Sequence, residues 1–190
     1  MVQKSFILPS VKNFNDYLHL HEDVFRQISN KEVDLFVNSV QEIFLRDGIL
    51  WTAGNGGSAS NASHAQCDLS KGVYSKNKKM PRVVCLTDMT ETSTAWANDV
   101  SFENAIVNMC SNFVRTNDGL LLISGSGNSK NIVNAATYAK EKGIKVFGLI
   151  GFDGGKLKEL ADFSIHVPST DMQVIENIHL LLIHWFFKEL

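Results

Sequence analysis

The strongest constraint on the fold is the alternation, after Gly48, of short apolar runs with segments of helical periodicity. The runs are apolar on both faces, as strands buried in a parallel sheet are. Strand–helix alternation of this kind predicts right-handed βαβ units, and hence a three-layer, doubly wound α/β fold with a parallel five-stranded sheet. The predicted strands are residues 49–53, 83–86, 120–123, 146–150 and 163–167.

Helices are predicted before, between and after these strands. Apolar residues recur at intervals of three and four over residues 31–46, which places them on one stripe of a helix, with Gly48 as its stop. A less regular helix is expected across 14–28, another over 129–142, and a last one from about Asp171. We therefore expect a single domain over 1–190, with N-terminal helices in 1–47 and the sheet core and C-terminal helix in 48–190.

Composition and charge exclude several classes of protein. Hydrophobic residues make up 44% of the chain and charged residues 20%, which is typical of a globular domain. Because the net charge is -2, no bulk positive field would attract nucleic acid or anionic lipid. The three cysteines are isolated, the first nine residues lack a signal-peptide core, and the apolar stretch 178–187 is too short to span a bilayer. We expect a cytoplasmic protein with neither a nucleic-acid nor a membrane partner.

Two loops rich in glycine and serine follow predicted strands. In an open α/β sheet the carboxyl ends of the strands border the ligand crevice, and small residues let backbone N–H groups approach an anion. One such loop is more often a capped tight turn, whereas two favour a phosphorylated ligand lying across the crevice. The loops are Gly54-Asn55-Gly56-Gly57-Ser58 and Ser124-Gly125-Ser126-Gly127-Asn128-Ser129.

A dinucleotide-dependent oxidoreductase is an alternative interpretation of the first loop. Gly54-x-Gly56-x-x-Ala59 matches a dinucleotide fingerprint, and Asp88 follows the next predicted strand. A single match of this kind is weak, and it leaves the serine-rich second loop unexplained. Neither loop is a P-loop, because no Gly-Lys-Ser/Thr follows.

Two pairs of histidine and carboxylate lie on predicted helices. His64 and Asp68 are about 40° apart around their helix, so they can bind a metal, act as an acid/base pair, or form an ordinary solvated pair. Glu176 and His184 are about 80° apart on the last helix and can converge on one site. His179 or His184 can instead be a core histidine bonded to a backbone carbonyl. Together His64, Asp68, Glu176 and His184 form a donor set suited to zinc.

These motifs resemble those of the SIS (sugar isomerase) family, and most closely its phosphoheptose isomerase branch. The resemblance extends over nearly the whole chain. Besides the two loops and His64, it includes Asn98-Asp99, Asp153-Gly154-Gly155-Lys156-Leu157, Ala161-Asp162 and Glu176-x-x-His179-x-x-x-x-His184.

The resemblance implies an aldose–ketose isomerase that converts sedoheptulose 7-phosphate to D-glycero-D-manno-heptose 7-phosphate through an enediol or enediolate, for lipopolysaccharide or capsule precursors. It implies one zinc per subunit held by His64, Asp68, Glu176 and His184, with Asp68 and His184 as base and acid. It also implies a homotetramer with sites near subunit interfaces. The implied substrate-binding residues are Asn55, Gly56, Gly57, Ser58, Asp68, Asn98, Asp99, Ser124, Gly125, Ser126, Ser129 and Glu176.

Three residues depart from the family pattern. The family usually has glutamate at Asp68, glutamine at Glu176 and threonine at Gly125. The first two departures motivate an alternative, a non-catalytic SIS module that binds a sugar phosphate or a protein partner. In one such branch, a replication-initiator-associating protein, the isomerase acid is missing, and Asp68 argues against that branch. Because the sheet core is small for an enclosed pocket, we expect a neighbouring subunit to complete it, with residues 1–47 building the oligomer.

Overall fold

A parallel five-stranded sheet forms the centre of the part of the chain that the computed structural model describes, residues 11–72 and 80–190. The N-terminal segment expected to lack a signal peptide lies outside these residues. Each end of each strand agrees with its predicted position to within one residue. The strands are β1 (Ile49–Gly54), β2 (Arg82–Cys85), β3 (Gly119–Ser124), β4 (Lys145–Ile150) and β5 (Phe163–His166).

Helices cover both faces of the sheet, which confirms the predicted three-layer arrangement. One face is packed by α2, α3 and α8, and the other by α5, α6 and α7. Along β3 the side chains alternate between the two cores, because successive residues of a strand point to opposite faces. The helices are α1 (Phe14–Phe25), α2 (Asn30–Leu45), α3 (Gly57–Gly72), α4 (Thr90–Asp99), α5 (Phe102–Phe113), α6 (Lys130–Glu141), α7 (Gly155–Leu160) and α8 (Met172–Glu189), with a 3₁₀ turn at Leu86–Asp88.

The strand order β2-β1-β3-β4-β5 puts the reversal of the winding between β1 and β3. Strand β2 pairs with one edge of β1, and β3 pairs with the other edge. In such sheets ligands bind beyond the carboxyl ends of the strands at this switch point. The two glycine- and serine-rich loops follow the two strands that flank it.

The end of α2 differs from the prediction. The helix ends at Leu45, and the left-handed residue that turns the chain out of it is Asp47, with a φ of 63°, where a glycine stop at Gly48 was expected. The N–H of Gly48 donates to the carbonyl of Ile43 at 2.8 Å, so the turn still satisfies a free helical carbonyl. Asparagine and aspartate are the residues other than glycine that adopt this conformation most readily.

The two N-terminal helices differ in how deeply they are buried. Phe36 and Ile43 of α2 are fully buried against the sheet, and burial of such a side chain stabilises the fold by about 1.5–3 kcal/mol. By contrast, α1 buries only Val24 and lies on α8, where Asn177 donates to the Tyr17 hydroxyl at 3.0 Å. Within the described residues, no helix combines the length and apolar character needed to cross a membrane.

Candidate active site

The loops after β1 and β3 leave the sheet side by side. Gly54 pairs with Ile123 in the parallel register, so Asn55 and Ser124 follow at the same level. Each loop leads to the amino end of a helix, α3 or α6, where free N–H groups favour an anion. The register therefore brings together the two motifs that lie about seventy residues apart in the chain.

These loops and the start of α8 enclose an open cavity of about 290 Å³. All eight loop residues predicted to bind the sugar phosphate line it, together with Glu176. Two further lining residues, Ile123 and Met172, were not predicted, because neither carries a polar group that would indicate a binding role. The lining is Asn55, Gly56, Gly57, Ser58, Ile123, Ser124, Gly125, Ser126, Ser129, Met172 and Glu176.

Two glycines of the loops make room for side chains of α8. A Cβ atom on Gly57 would clash with the carboxylate of Glu176, and one on Gly125 would clash with the sulfur of Met172. Met172 and Glu176 are one turn apart and so lie on one face of α8. The absence of side chains at these glycines therefore lets α8 close one wall of the cavity.

The second loop is held by its own polar groups. The Ser124 hydroxyl accepts a hydrogen bond from the N–H of Gly127 at 3.1 Å. The side chain of Asn128 accepts from the N–H of Lys156 at 3.1 Å, which ties the loop to α7. Ser129 occupies the N-cap position of α6, but its side chain makes no capping hydrogen bond. Its hydroxyl lines the cavity and can donate to a ligand.

Asn98 and Asp99 lie elsewhere. Both are exposed at the end of α4, where the Asn98 amide donates to the Asp99 carboxylate at 2.8 Å. Neither lines the loop cavity. The structure of the single chain thus does not bring these two predicted substrate-binding residues to the nine that line the cavity.

His64, Asp68 and His184 converge where α3 packs against α8. The Nε2 atom of His64 lies 3.1 Å from Oδ2 of Asp68 and 2.9 Å from Nε2 of His184. Nε2 of His184 lies 3.6 Å from the same carboxylate oxygen. Among the described residues, these three form the one group of histidine, cysteine and acidic side chains close enough to share a metal ion.

The donor set fits zinc, which binds imidazole nitrogen and carboxylate oxygen and leaves a position open in catalytic sites. All three donor atoms lie within 4.8 Å of one another, and the His184 side chain is half exposed, so a ligand can reach them. Glu176, predicted as a fourth ligand, is not part of this group. Its carboxylate lies against Gly57 in the loop cavity, where desolvation by burial raises its pKa.

His179 is the core histidine of α8. Its side chain is fully buried, and Nε2 lies 3.3 Å from the Ile150 carbonyl. Burial lowers its pKa to about 4, against the smaller opposing effect of that hydrogen bond, so the imidazole stays neutral. Of the two histidines left open by the sequence, His179 therefore serves the core and His184 reaches the candidate site.

His64 also lines a second open cavity, of about 470 Å³, on the flank of α3. Ser60, Ser63, Cys67 and Asp88 belong to the same wall. Here the Ser63 hydroxyl donates to the Asp88 carboxylate at 2.8 Å. The histidine is thus accessible from the side of this polar surface.

Comparison with known proteins decides between the interpretations of this site. A family model described as the SIS domain matches residues 14–151. The chain belongs to the SIS domain family. A phosphoheptose isomerase of Helicobacter pylori strain P12 is 33% identical over 184 residues, covering 97% of this chain and 91% of its own. A phosphoheptose isomerase of Rhodospirillum rubrum is 39% identical over 137 residues, covering 72% of each chain.

Solved structures of phosphoheptose isomerases have the same fold as this chain. The phosphoheptose isomerase GmhA of Neisseria gonorrhoeae superposes with a TM-score of 0.83 at 28% identity, covering 92% of both chains. A phosphoheptose isomerase of Francisella tularensis has a TM-score of 0.86 at 24% identity, covering 95% of this chain and 97% of its own, and supports the fold. The predicted SIS fold, the phosphoheptose isomerase resemblance and the assignment as an isomerase are confirmed. The binding-module and oxidoreductase alternatives are not favoured.

Proposed function

We propose that this SIS protein isomerises sedoheptulose 7-phosphate to D-glycero-D-manno-heptose 7-phosphate, for use in lipopolysaccharide or capsule precursors. The observation that carries the proposal is the position of two sites along α8. Glu176 lies at the loop cavity and His184 at the histidine–aspartate group, and the eight helical steps from one to the other rise about 12 Å. That separation suits a ligand with its phosphate at one end and its reacting carbons at the other.

The loop cavity suits the phosphate. Loop N–H groups, the amino ends of α3 and α6, and the hydroxyls of Ser124, Ser126 and Ser129 supply donors for its oxygens. Among the residues that the structure describes, the cavity lining contains no lysine or arginine, so hydrogen bonds from these residues would hold the phosphate. This agrees with a chain whose net charge is only -2.

Asp68 and His184 are suited to move the protons of the isomerisation. In this reaction one proton leaves the carbon next to the carbonyl and returns to the adjacent carbon, and another moves between the two oxygens. The Asp68 carboxylate and the His184 imidazole are 3.6 Å apart, so both can reach neighbouring atoms of one substrate. We assign the roles of base and acid to this pair.

His64 orients this pair and completes the candidate metal site. Its Nε2 atom is within hydrogen-bonding distance of both the carboxylate and the second imidazole. His64, Asp68 and His184 would hold one zinc per subunit. That ion would supply Lewis-acid polarisation of the substrate carbonyl.

We further propose that the protein works in the cytoplasm as a homotetramer in which a neighbouring subunit completes each pocket. Cys67, Cys85 and Cys110 are free thiols, as expected in a reducing compartment. The loop cavity and the surface around His184 are open in the single chain, and Asn98 and Asp99 are exposed and away from the cavity. These features are those expected of a site that a second subunit closes.

The test is an isomerase assay on purified, zinc-loaded protein with sedoheptulose 7-phosphate, followed by NMR of the sugar. We expect turnover by the wild type and a loss of kcat/KM of about 10²–10⁴-fold in Asp68→Asn and His184→Ala, the usual range for an acid or base. Elemental analysis should find one zinc per chain, lost in His64→Ala. Glu141→Gln, which removes an exposed carboxylate at the end of α6, is the matched control for Asp68→Asn and should keep both activity and zinc.

A contradictory result is equally clear. If zinc-loaded protein converts no ketose phosphate of five to seven carbons, and Asp68→Asn behaves as the wild type does, the isomerase proposal is wrong. Binding of the sugar phosphate without turnover would then favour the non-catalytic SIS module.

A further inference from the structure

A reciprocal pair of amides connects the first loop to the helix that follows the second. The Asn55 Nδ2 atom donates to Oδ1 of Asn131 at 2.9 Å, and the Asn131 Nδ2 atom donates to Oδ1 of Asn55 at 2.8 Å. Asn131 lies in the first turn of α6 and is only 2% exposed. Asn55 is half-buried and lines the loop cavity, whereas Asn131 does not.

The N–H of Ile132 donates to Oδ1 of Asn131 at 3.1 Å and so fixes the Asn131 amide, and through the pair this determines which way the Asn55 amide faces. A carboxamide has two N–H donors and one oxygen, and the pairing uses one N–H and one acceptor position of each residue. A reversed Asn55 amide would set its oxygen against the Asn131 oxygen and its nitrogen against the Asn131 nitrogen. The second N–H of Asn55 is therefore left in a defined direction at the edge of the cavity.

Burial makes this orientation costly to change. Buried polar groups in folded proteins are nearly always hydrogen-bonded, and a buried amide that loses its partner costs more than a neutral hydrogen bond contributes. Asn131 has little solvent to replace Asn55, so the two amides hold each other. The same pair also links the two loops, which are far apart in sequence, at one point.

We propose that Asn131 is a positioning residue that holds the Asn55 amide in the orientation in which it donates to the sugar phosphate. The inference rests on the proposed function, since it assumes that the loop cavity receives the phosphorylated ligand. Asn131 acts through Asn55 and does not touch the ligand. It therefore governs ligand affinity and leaves the proton transfers at Asp68 and His184 unchanged.

The experiment compares Asn131→Ala with Asn134→Ala, a matched control on the same helix. Asn134 donates across to the Glu103 carbonyl at 3.1 Å, so its removal also deletes a helix-to-helix hydrogen bond, but away from the cavity. We expect Asn131→Ala to raise the KM for sedoheptulose 7-phosphate about tenfold, the size expected from loss of about one well-placed hydrogen bond, with kcat within about twofold. Asn134→Ala should leave the KM unchanged.

A double-mutant cycle separates positioning from general stability. If Asn131 works through Asn55, Asn131→Ala should add nothing to the KM of Asn55→Ala, because the positioned amide is already gone. Asn131→Asp serves as a second variant of nearly equal size if the alanine variant does not fold. Its carboxylate cannot donate to the Asn55 oxygen, so its KM should rise at least as far.

Titration calorimetry with inorganic phosphate distinguishes the possible failures. If the wild type binds phosphate about tenfold more tightly than Asn131→Ala but turns over no sugar, the inference stands and the proposed function fails. If turnover is normal but Asn131→Ala matches Asn134→Ala, or adds fully to Asn55→Ala, the inference is wrong and the proposed function stands. If the wild type binds neither phosphate nor sugar phosphate, both are wrong.

Discussion

The pocket wall on α8 depends on single residues at two glycine positions. Glu176 lies over Gly57 and Met172 over Gly125, one helical turn apart. The family usually has threonine at the position of Gly125. In this chain the thioether of Met172 occupies the space that a side chain at that position would take. Two departures from the family pattern, Gly125 and Glu176, therefore lie in the same part of the cavity.

Glu176→Gln should change the pH dependence of stability. Desolvation raises the pKa of this carboxyl above its unfolded value, so its contribution to stability is fully present below the unfolded pKa and is lost as pH rises through the folded pKa. The variant has no such loss. Its Tm should equal that of the wild type near about pH 4 and exceed it by about 1–2 °C at about pH 8, since solvent screens the effect.

Thermal unfolding in the presence of a chelator measures this difference without a contribution from bound metal. Glu159→Gln, which removes an exposed carboxylate from α7, is the control for the change in net charge. A Tm difference for Glu176→Gln that is constant with pH, or that shrinks as pH rises, would contradict the prediction.

At the scale of the elements, the amino ends of β1 and β3 are joined by one buried carboxylate. Asp118 precedes β3 and accepts from the N–H of Ile49 at 2.8 Å, the indole N–H of Trp51 at 3.0 Å and the N–H of Arg115 at 2.9 Å. Its side chain is nearly fully buried. These bonds align the two central strands whose opposite ends carry the ligand loops.

Asp118→Ala should lower the free energy of unfolding by about 3 kcal/mol. The substitution removes three hydrogen bonds to a charged acceptor and leaves buried N–H groups without a partner. Chemical denaturation checks the value, with Asp34→Ala on the exposed side of α2 as the control, expected within about 0.5 kcal/mol of the wild type. A loss of less than about 1 kcal/mol would mean that water replaces the carboxylate at this site.

At the scale of the whole molecule, apolar side chains remain exposed on the surface formed by α1 and α8. Phe14 is 70% exposed, and Leu18 lies one turn further along the same face of α1. Leu181 and Trp185 form a similar exposed pair on α8, next to His184. Exposed apolar surface of this kind is typical of protein interfaces, which supports the proposed assembly.

Leu18→Glu should therefore dissociate the proposed tetramer and lower activity with it. A charge buried in an apolar interface carries a desolvation penalty that weakens the assembly, so light scattering should show a mass well below four chains. The control is Phe102→Glu, which changes another exposed apolar residue, on α5 at the opposite face of the sheet, and it should keep the assembly. If Phe102→Glu dissociates the assembly and Leu18→Glu does not, the N-terminal helices do not build it.

The five strands, the helices α1, α2, α3, α6 and α8, and the three-layer arrangement could be predicted from the sequence, whereas α4, α5 and α7 were not predicted. Each apolar run corresponds to a strand that is buried on both faces, and each helical stripe corresponds to a helix that is buried on one face. These patterns can be recognised from residues that are close together in the sequence. The two ligand loops were also predictable, because glycine and serine at the end of a buried strand have a local cause. For the same reason His64 and Asp68, one turn apart on α3, were recognised as a pair.

The folded structure is needed to show which distant residues meet. It placed His184 beside His64 and left His179 in the core, although both histidines lie in the same apolar stretch of α8. It set Glu176 over Gly57, apart from the histidine group, and paired Asn131 with Asn55 across 76 residues. These contacts depend on the strand register and on the rotation of α8 against α3. Such geometry arises from packing over the whole sheet and leaves no periodic signal in the sequence.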